Sequence, residues 1–247
     1  MNPRLRKAVR PKFLTRAASS PVFLCVALTI ANAPEAAAVN SWTNQAAAGF
    51  WQESNRWSLA VPPLSSQGTI FITNTASKTV TINAATPAVN KIITDLMLSG
   101  PGASVNILQL TNAGAATPLA INNGLTITSG GALLVTNSFV RVDGGSKGQL
   151  LIDGSVTVLG GGLITTTNAG GGNAGTLTAV GNASSGSLTV QGGRLLPNKL
   201  YLGLAAGSRG TFTMSGGETK STGLMCAGCR AGSTGAVWVT GGQLSVS

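Results

Sequence analysis

Between Gly186 and Ser247 the chain repeats one short phrase three times. Gly186-Ser-Leu-Thr-Val-Gln-Gly-Gly-Arg-Leu is followed by Gly210-Thr-Phe-Thr-Met-Ser-Gly-Gly-Glu-Thr and by Gly235-Ala-Val-Trp-Val-Thr-Gly-Gly-Gln-Leu. The leading glycine thus recurs at a nearly constant interval of two dozen positions. A fixed period of this size describes a stack of equivalent units, none of which can bury its apolar face alone. Inside each copy the second and fourth residues after the glycine are apolar: Leu188 and Val190, Phe212 and Met214, Val237 and Val239. Period-two alternation turns these inward and leaves Thr189, Thr213 and Trp238 outside. Short Val, Thr and Leu runs bounded by glycine fit strands rather than helices. The Gly-Gly pair supplies positive φ where a coil must turn. The predicted fold is therefore all-β, a single-stranded parallel β-helix (β-solenoid) with about 24–25 residues per coil. The 34 glycines in 247 residues are about twice ordinary usage, but they follow no Gly-X-Y register and so do not describe a collagen.

The same phrase extends backwards through Gly148-Gln-Leu-Leu-Ile-Asp-Gly and Asn123-Gly-Leu-Thr-Ile-Thr-Ser-Gly, with Leu125, Ile127, Leu150 and Ile152 expected inside. The step from Gly148 to Gly186 is longer than one coil, and the surplus is assigned to a low-complexity loop extruded near 165–175. Coils in register bring like positions to about 4.8 Å, which predicts an exposed ladder of Arg194, Glu218 and Gln243. Solenoid coils are expected over 68–247, about seven of them. The chain stops part-way through a coil, so it reads as a fragment or truncated product, with further coils or a capping element expected at that edge.

Residues 1–38 read as a signal peptide. Arg4, Arg6, Lys7, Arg10, Lys12 and Arg16 form the basic head, Val22–Ile30 is an apolar core too short for a membrane span, and cleavage is expected between Ala38 and Val39. The membrane is then met only through this segment if it stays uncleaved. Its removal leaves ten basic and five acidic residues, a net charge of +5. The ten are scattered singly, which argues against nucleic acid as a partner. Residues 39–67 carry Trp42, Trp51 and Trp57. They read as an aromatic N-terminal cap over the open end of the coil, with a glycan-stacking platform as the alternative.

No histidine is present, which removes the Ser-His-Asp and Cys-His arrangements and His-ligated zinc. No catalytic, cofactor or metal residues are assigned. The one conceivable acidic cluster is Asp143 with Asp153 on one coil, near Arg141 and Lys147. It would serve a polysaccharide lyase or hydrolase if its carboxyl groups lay about 5 to 10 Å apart. The preferred reading is that both acids are solvated corner residues. Gly170-Gly-Gly172 matches no phosphate cradle. Cys226-Ala-Gly-Cys229 is a candidate local disulfide in an oxidising compartment, with free thiols as the alternative. One coil earlier its cysteines fall on Tyr201 and Leu204.

Gly228-Cys-Arg-Ala-Gly-Ser-Thr-Gly-Ala-Val-Trp-Val-Thr-Gly-Gly resembles the repeat in passenger regions of type V secreted (autotransporter-like) proteins and of PEP-CTERM proteins. Gly203–Gly217 and Gly181–Gly193 are similar to it in a more degenerate form, and Trp42, Gly49-Phe-Trp51 and Trp57 through Pro63 resemble the opening of such exported solenoids. The resemblance implies a β-solenoid on or outside the envelope of a Gram-negative bacterium, and it brings no catalytic residues with it. The expected function is that of an exported, non-enzymatic structural or adhesive protein of the cell envelope or surface, with surface glycans or other envelope proteins as partners. The alternative is a carbohydrate-active β-helix, either an enzyme or a glycan-binding module.

Overall fold

Residues 37–43, 47–143, 148–167 and 176–247 are described by the computed structural model of the chain. The signal-peptide reading thus lies outside the described residues, apart from Ala37, Ala38 and Val39, which are exposed. Sixteen strands join in one sheet that winds about seven times around a common core. The first coil holds β1 (Asn40–Ser41) and β2 (Ala48–Phe50), and the second holds β3 (Thr69–Ile72) and β4 (Lys78–Ile82). Then come β5 (Ile92–Leu98), β6 (Asn106–Ile127), β7 (Gly131–Asp143), β8 (Gln149–Ile152), β9 (Ser155–Leu159) and β10 (Leu163–Thr167). The last coils are β11 (Leu177–Val180), β12 (Ser185–Pro197), β13 (Leu200–Leu202), β14 (Arg209–Ser221), β15 (Met225–Ala227) and β16 (Thr234–Val246).

All the ladders between these strands are parallel, and they define three faces. The first face stacks β1, β3, β5, the end of β6, β8, β11, β13 and β15. The second stacks β2, β4, the start of β6, the start of β7, β9 and the leading halves of β12, β14 and β16. The third stacks Ile92 and Ile93 at the start of β5, the middle of β6, the end of β7, β10 and the trailing half of β12, continued by β14 and β16.

Like sits on like inside. On the second face Val80, Leu108, Leu133, Val156, Leu188 and Phe212 form one column, each in register with the next and each buried. Val237 continues it, half-exposed on the last coil. The expected stacking of Leu188, Phe212 and Val237 is therefore present, as is the outer ladder. Arg194 pairs in register with Glu218 and Glu218 with Gln243, and Arg194 Nε donates to Glu218 Oε2 at 2.8 Å. That exposed pair contributes under about 1 kcal/mol.

The 39–67 segment joins the stack as its first coil, since β1 and β2 pair in parallel register with β3 and β4, and its three tryptophans are buried there. One part of the sequence reading needs correction. The step from Gly148 to Gly186 joined two different faces. Leu150 lies on the first face, whereas Leu188 lies on the second, opposite Val156 of the preceding coil. Thr165–Thr167, expected in an extruded loop, instead close β10, opposite Arg141–Asp143. The extra residues lie partly in the turn 181–184 and partly in 168–175, outside the described residues.

The corner between the second and third faces takes a left-handed residue in successive coils: Asn112, Asn137, Gly161, Gly192, Gly217 and Gly242, with φ between 46° and 86°. Asparagine reaches this region more readily than most L residues. Asn137 Nδ2 also donates to Asn112 Oδ1 at 2.9 Å, tying the two coils together. At Gly217 the preceding coil leaves no room, since a Cβ there would run into the Gly193 carbonyl oxygen. Gly207 has a similar φ but open space around it.

Gly217→Ala should therefore lower stability by more than the roughly 1–2 kcal/mol of the backbone conformation, while Gly207→Ala should lose only that amount. Thermal melts of the two variants check this, and equal losses would contradict close coil stacking at Gly217. In the same assay Trp57→Ala, at a 2% exposed site, should cost about 3–5 kcal/mol. Trp238→Ala, at a 63% exposed site, should change stability by no more than about 0.5 kcal/mol.

Candidate functional site

The described residues contain five side-chain carboxylates, and each is held by a neighbour. Glu53 Oε2 accepts from the Phe50 amide at 2.8 Å and from Arg56 Nε at 3.1 Å. Asp95 Oδ1 accepts from Asn123 Nδ2 of the next coil at 2.8 Å. Asp143 is ion-paired with Arg141, and Glu218 with Arg194. Asp153 Oδ1 accepts from the amides of Ala183 and Ser184, both at 2.9 Å. It therefore stitches one corner to the corner of the following coil. Asp143 ends the third face and Asp153 follows the first, so the strand β8 separates them by roughly 10 Å or more. The structure does not bring them together as a catalytic pair, and Lys147 lies outside the described residues.

The tryptophans do not form a platform. Trp42, Trp51 and Trp57 are at most 2% exposed, and their rings meet edge to face with centroids 5.1 Å apart in both pairs. Trp57 Nε1 donates to the Trp51 carbonyl at 2.8 Å and Trp51 Nε1 to the Asn90 carbonyl at 2.7 Å. Their ring faces are spent on the core of the first coils, so no sugar can stack on them. Cys226 and Cys229 are joined as a disulfide, with Cα atoms 5.8 Å apart. Cys226 sits opposite Tyr201, as the repeat spacing predicts.

A groove of about 670 Å³ runs along the outside of the first face at this point. Its floor carries Leu177, Tyr201 and Cys226 from three successive strands. One wall is built from the turns at Asn182, Leu204 and Arg230, and Leu224 stands on the other side. Tyr201 is partly exposed. The repeat spacing aligns Tyr201 with Cys226 without marking it as a binding residue. The signal was present, in the chain's only tyrosine standing at an outward position of the repeat.

Among the described cations Lys91 is the most deeply buried. It is 3% exposed, and its Nζ donates to the Ala113 carbonyl at 3.2 Å and to Thr117 Oγ1 at 3.1 Å. Loss of solvent lowers its pKa from the ordinary 10.5.

Comparison of the chain with known protein families, with curated proteins and with solved structures gives no match. The site is therefore read from its own geometry.

The Lys91 shift has a definite sign. A lysine whose folded pKa is depressed opposes folding while it is protonated, and that penalty is relieved as pH rises through the folded value toward 10.5. The stability of the native chain should therefore gain on that of Lys91→Met between about pH 7 and pH 10.5. Denaturant midpoints of the two proteins across this range measure it, and a constant difference would contradict the burial of the charge.

Proposed function

We propose that the chain is an exported, non-enzymatic β-solenoid that serves as a structural or adhesive, passenger-like component of the bacterial cell envelope or surface. What supports the reading is the use made of the acids. All five side-chain carboxylates of the described residues are engaged: Asp95, Asp153 and Glu218 tie successive coils together, while Glu53 and Asp143 pair with neighbours in their own turn or strand. A glycosidase-type reaction needs two carboxyl groups converging on one bond, and here they are dispersed along the stack. The outer surface offers repetition instead, with Ser155 and Thr157, Ser187 and Thr189, and Thr211 and Thr213 in register on the second face. Repeated, small polar side chains on a rigid stack suit a stalk or an extended contact surface.

Full-length chain expressed in a Gram-negative host should be recovered outside the cytoplasm, with an intact mass that lacks residues 1–38. Purified protein incubated with acidic and neutral polysaccharides should leave their chain lengths unchanged. Cytoplasmic protein beginning at Met1 would overturn export. Polysaccharide cleavage that disappears in Asp143→Asn or Asp153→Asn would overturn the non-enzymatic assignment.

A further inference from the structure

We propose that the groove over the first face binds a uronate glycan, with one sugar ring lying on the Tyr201 ring and its carboxylate paired to Arg230. Tyr201 lies outward at the middle of a flat parallel strand, between Ala179 and Cys226 of the adjacent coils. Around it the lining is mostly apolar, formed by Leu177, Leu204, Leu224 and the Cys226–Cys229 bridge. A sugar ring presents a C–H face to such a surface, and aromatic rings in a partly dry setting bind faces of this kind through area and through their quadrupole.

The charges in and beside the groove select the ligand class. Arg230 is the one charged side chain lining it among the described residues. A second cation, Lys199, stands by Gly223 at the Leu224 side, where a Cβ on that glycine would lie 3.6 Å from Lys199 Cγ. No carboxylate of the described residues lines the groove, and Asp153, against the turn that carries Asn182, is occupied by the Ala183 and Ser184 amides. A guanidinium opposite a carboxylate forms a charge-assisted pair, so the complementary ligand is an anion with a flat, partly apolar body. Because the groove is open along its length, a fatty acyl chain laid in it would remain half in water. A sugar acid would turn its hydroxyls to solvent and its C–H face to Tyr201. The three floor strands extend about 10 Å along the stack, enough for a chain rather than a single ring. This goes beyond the envelope role proposed above, and binding by purified protein does not depend on export.

Isothermal titration of the purified chain with oligogalacturonate, neutral oligogalactan of equal length, laurate and oligoglutamate tests the assignment. Oligogalacturonate should bind best. Arg230→Gln should weaken it about tenfold and erase the preference over the neutral glycan. Tyr201→Ala should weaken both sugars about tenfold, whereas Tyr201→Phe should bind as the native chain does. Leu224→Glu, at a 54% exposed rim position, should repel the uronate without loss of fold. Lys220→Gln on the third face should have no effect. The proposal is overturned if the folded native chain does not bind, if neutral glycan binds equally, if laurate or oligoglutamate binds better, or if folded Arg230→Gln and Leu224→Glu bind unchanged.

Discussion

The structure depends on in-register parallel pairing between successive coils. Each strand satisfies its backbone amides on the strands above and below, so the sheet has edges only at the two ends of the stack. The same register forces like positions to stack, which makes every inward residue part of a column. Such a column packs evenly through Val80, Leu108, Leu133, Val156 and Leu188, which are similar in size, before reaching the larger Phe212. Polar residues inside the winding need partners. Asn106 Nδ2 donates to the carbonyls of Asn74 and Ser99, at 2.7 and 2.6 Å, and Thr166 and Thr178 place their hydroxyls 3.4 Å apart.

With the faces committed to stacking, variation is confined to the corners. Between the first and second faces the turn holds two residues after β8, four after β11 and six after each of β13 and β15. The lengthening turns project from the stack and make the wall of the groove, so the cavity exists because the corner grows while the face stays constant. Glycines at Gly203, Gly207, Gly228 and Gly232 take positive φ in the two six-residue turns after β13 and β15. Ser208 and Ser233 close them by donating to the Ala205 and Arg230 carbonyls, at 2.8 and 2.7 Å. The second of these bonds holds the backbone of Arg230 itself, so the guanidinium projects from an ordered turn.

The fold was legible wherever the repeat is strict, and it blurred where the corner chemistry changes residue type. Leu188, Phe212 and Val237, the Arg194–Glu218–Gln243 ladder and the Cys226–Tyr201 match all follow from one period, because register leaves them no alternative. The earlier coils hid their boundaries by using Asn112 and Asn137 where later coils use Gly-Gly. These asparagines lie one coil apart, each close after a threonine, and that spacing was the available clue. The false step from Gly148 to Gly186 has a simple cause. Two faces of one coil carry the same local pattern of glycine and alternating aliphatics, so pattern alone cannot say which face a strand occupies. Trp42, Trp51 and Trp57 were ambiguous for a related reason: aromatic composition is the same for a plug and for a platform, and only burial separates them.

The residues lining the groove were harder to see because they are set by the corner geometry and not by the period. Tyr201 gains its meaning from walls contributed by Leu204, Leu224 and Arg230, none of which is distinctive by itself. Charge points the same way. Three of the five described acids are tied to arginines, at Arg56, Arg141 and Arg194, and the other two are held by neutral donors. The acids are thus absorbed into the architecture, while Arg230 faces an open groove lined by no described acid. A positive field at an apolar surface attracts anions over a distance of about a Debye length. A stack that uses its carboxylates as internal ties is thereby left with a surface disposed toward anionic partners, and the groove is the place where that disposition meets a shape able to hold one.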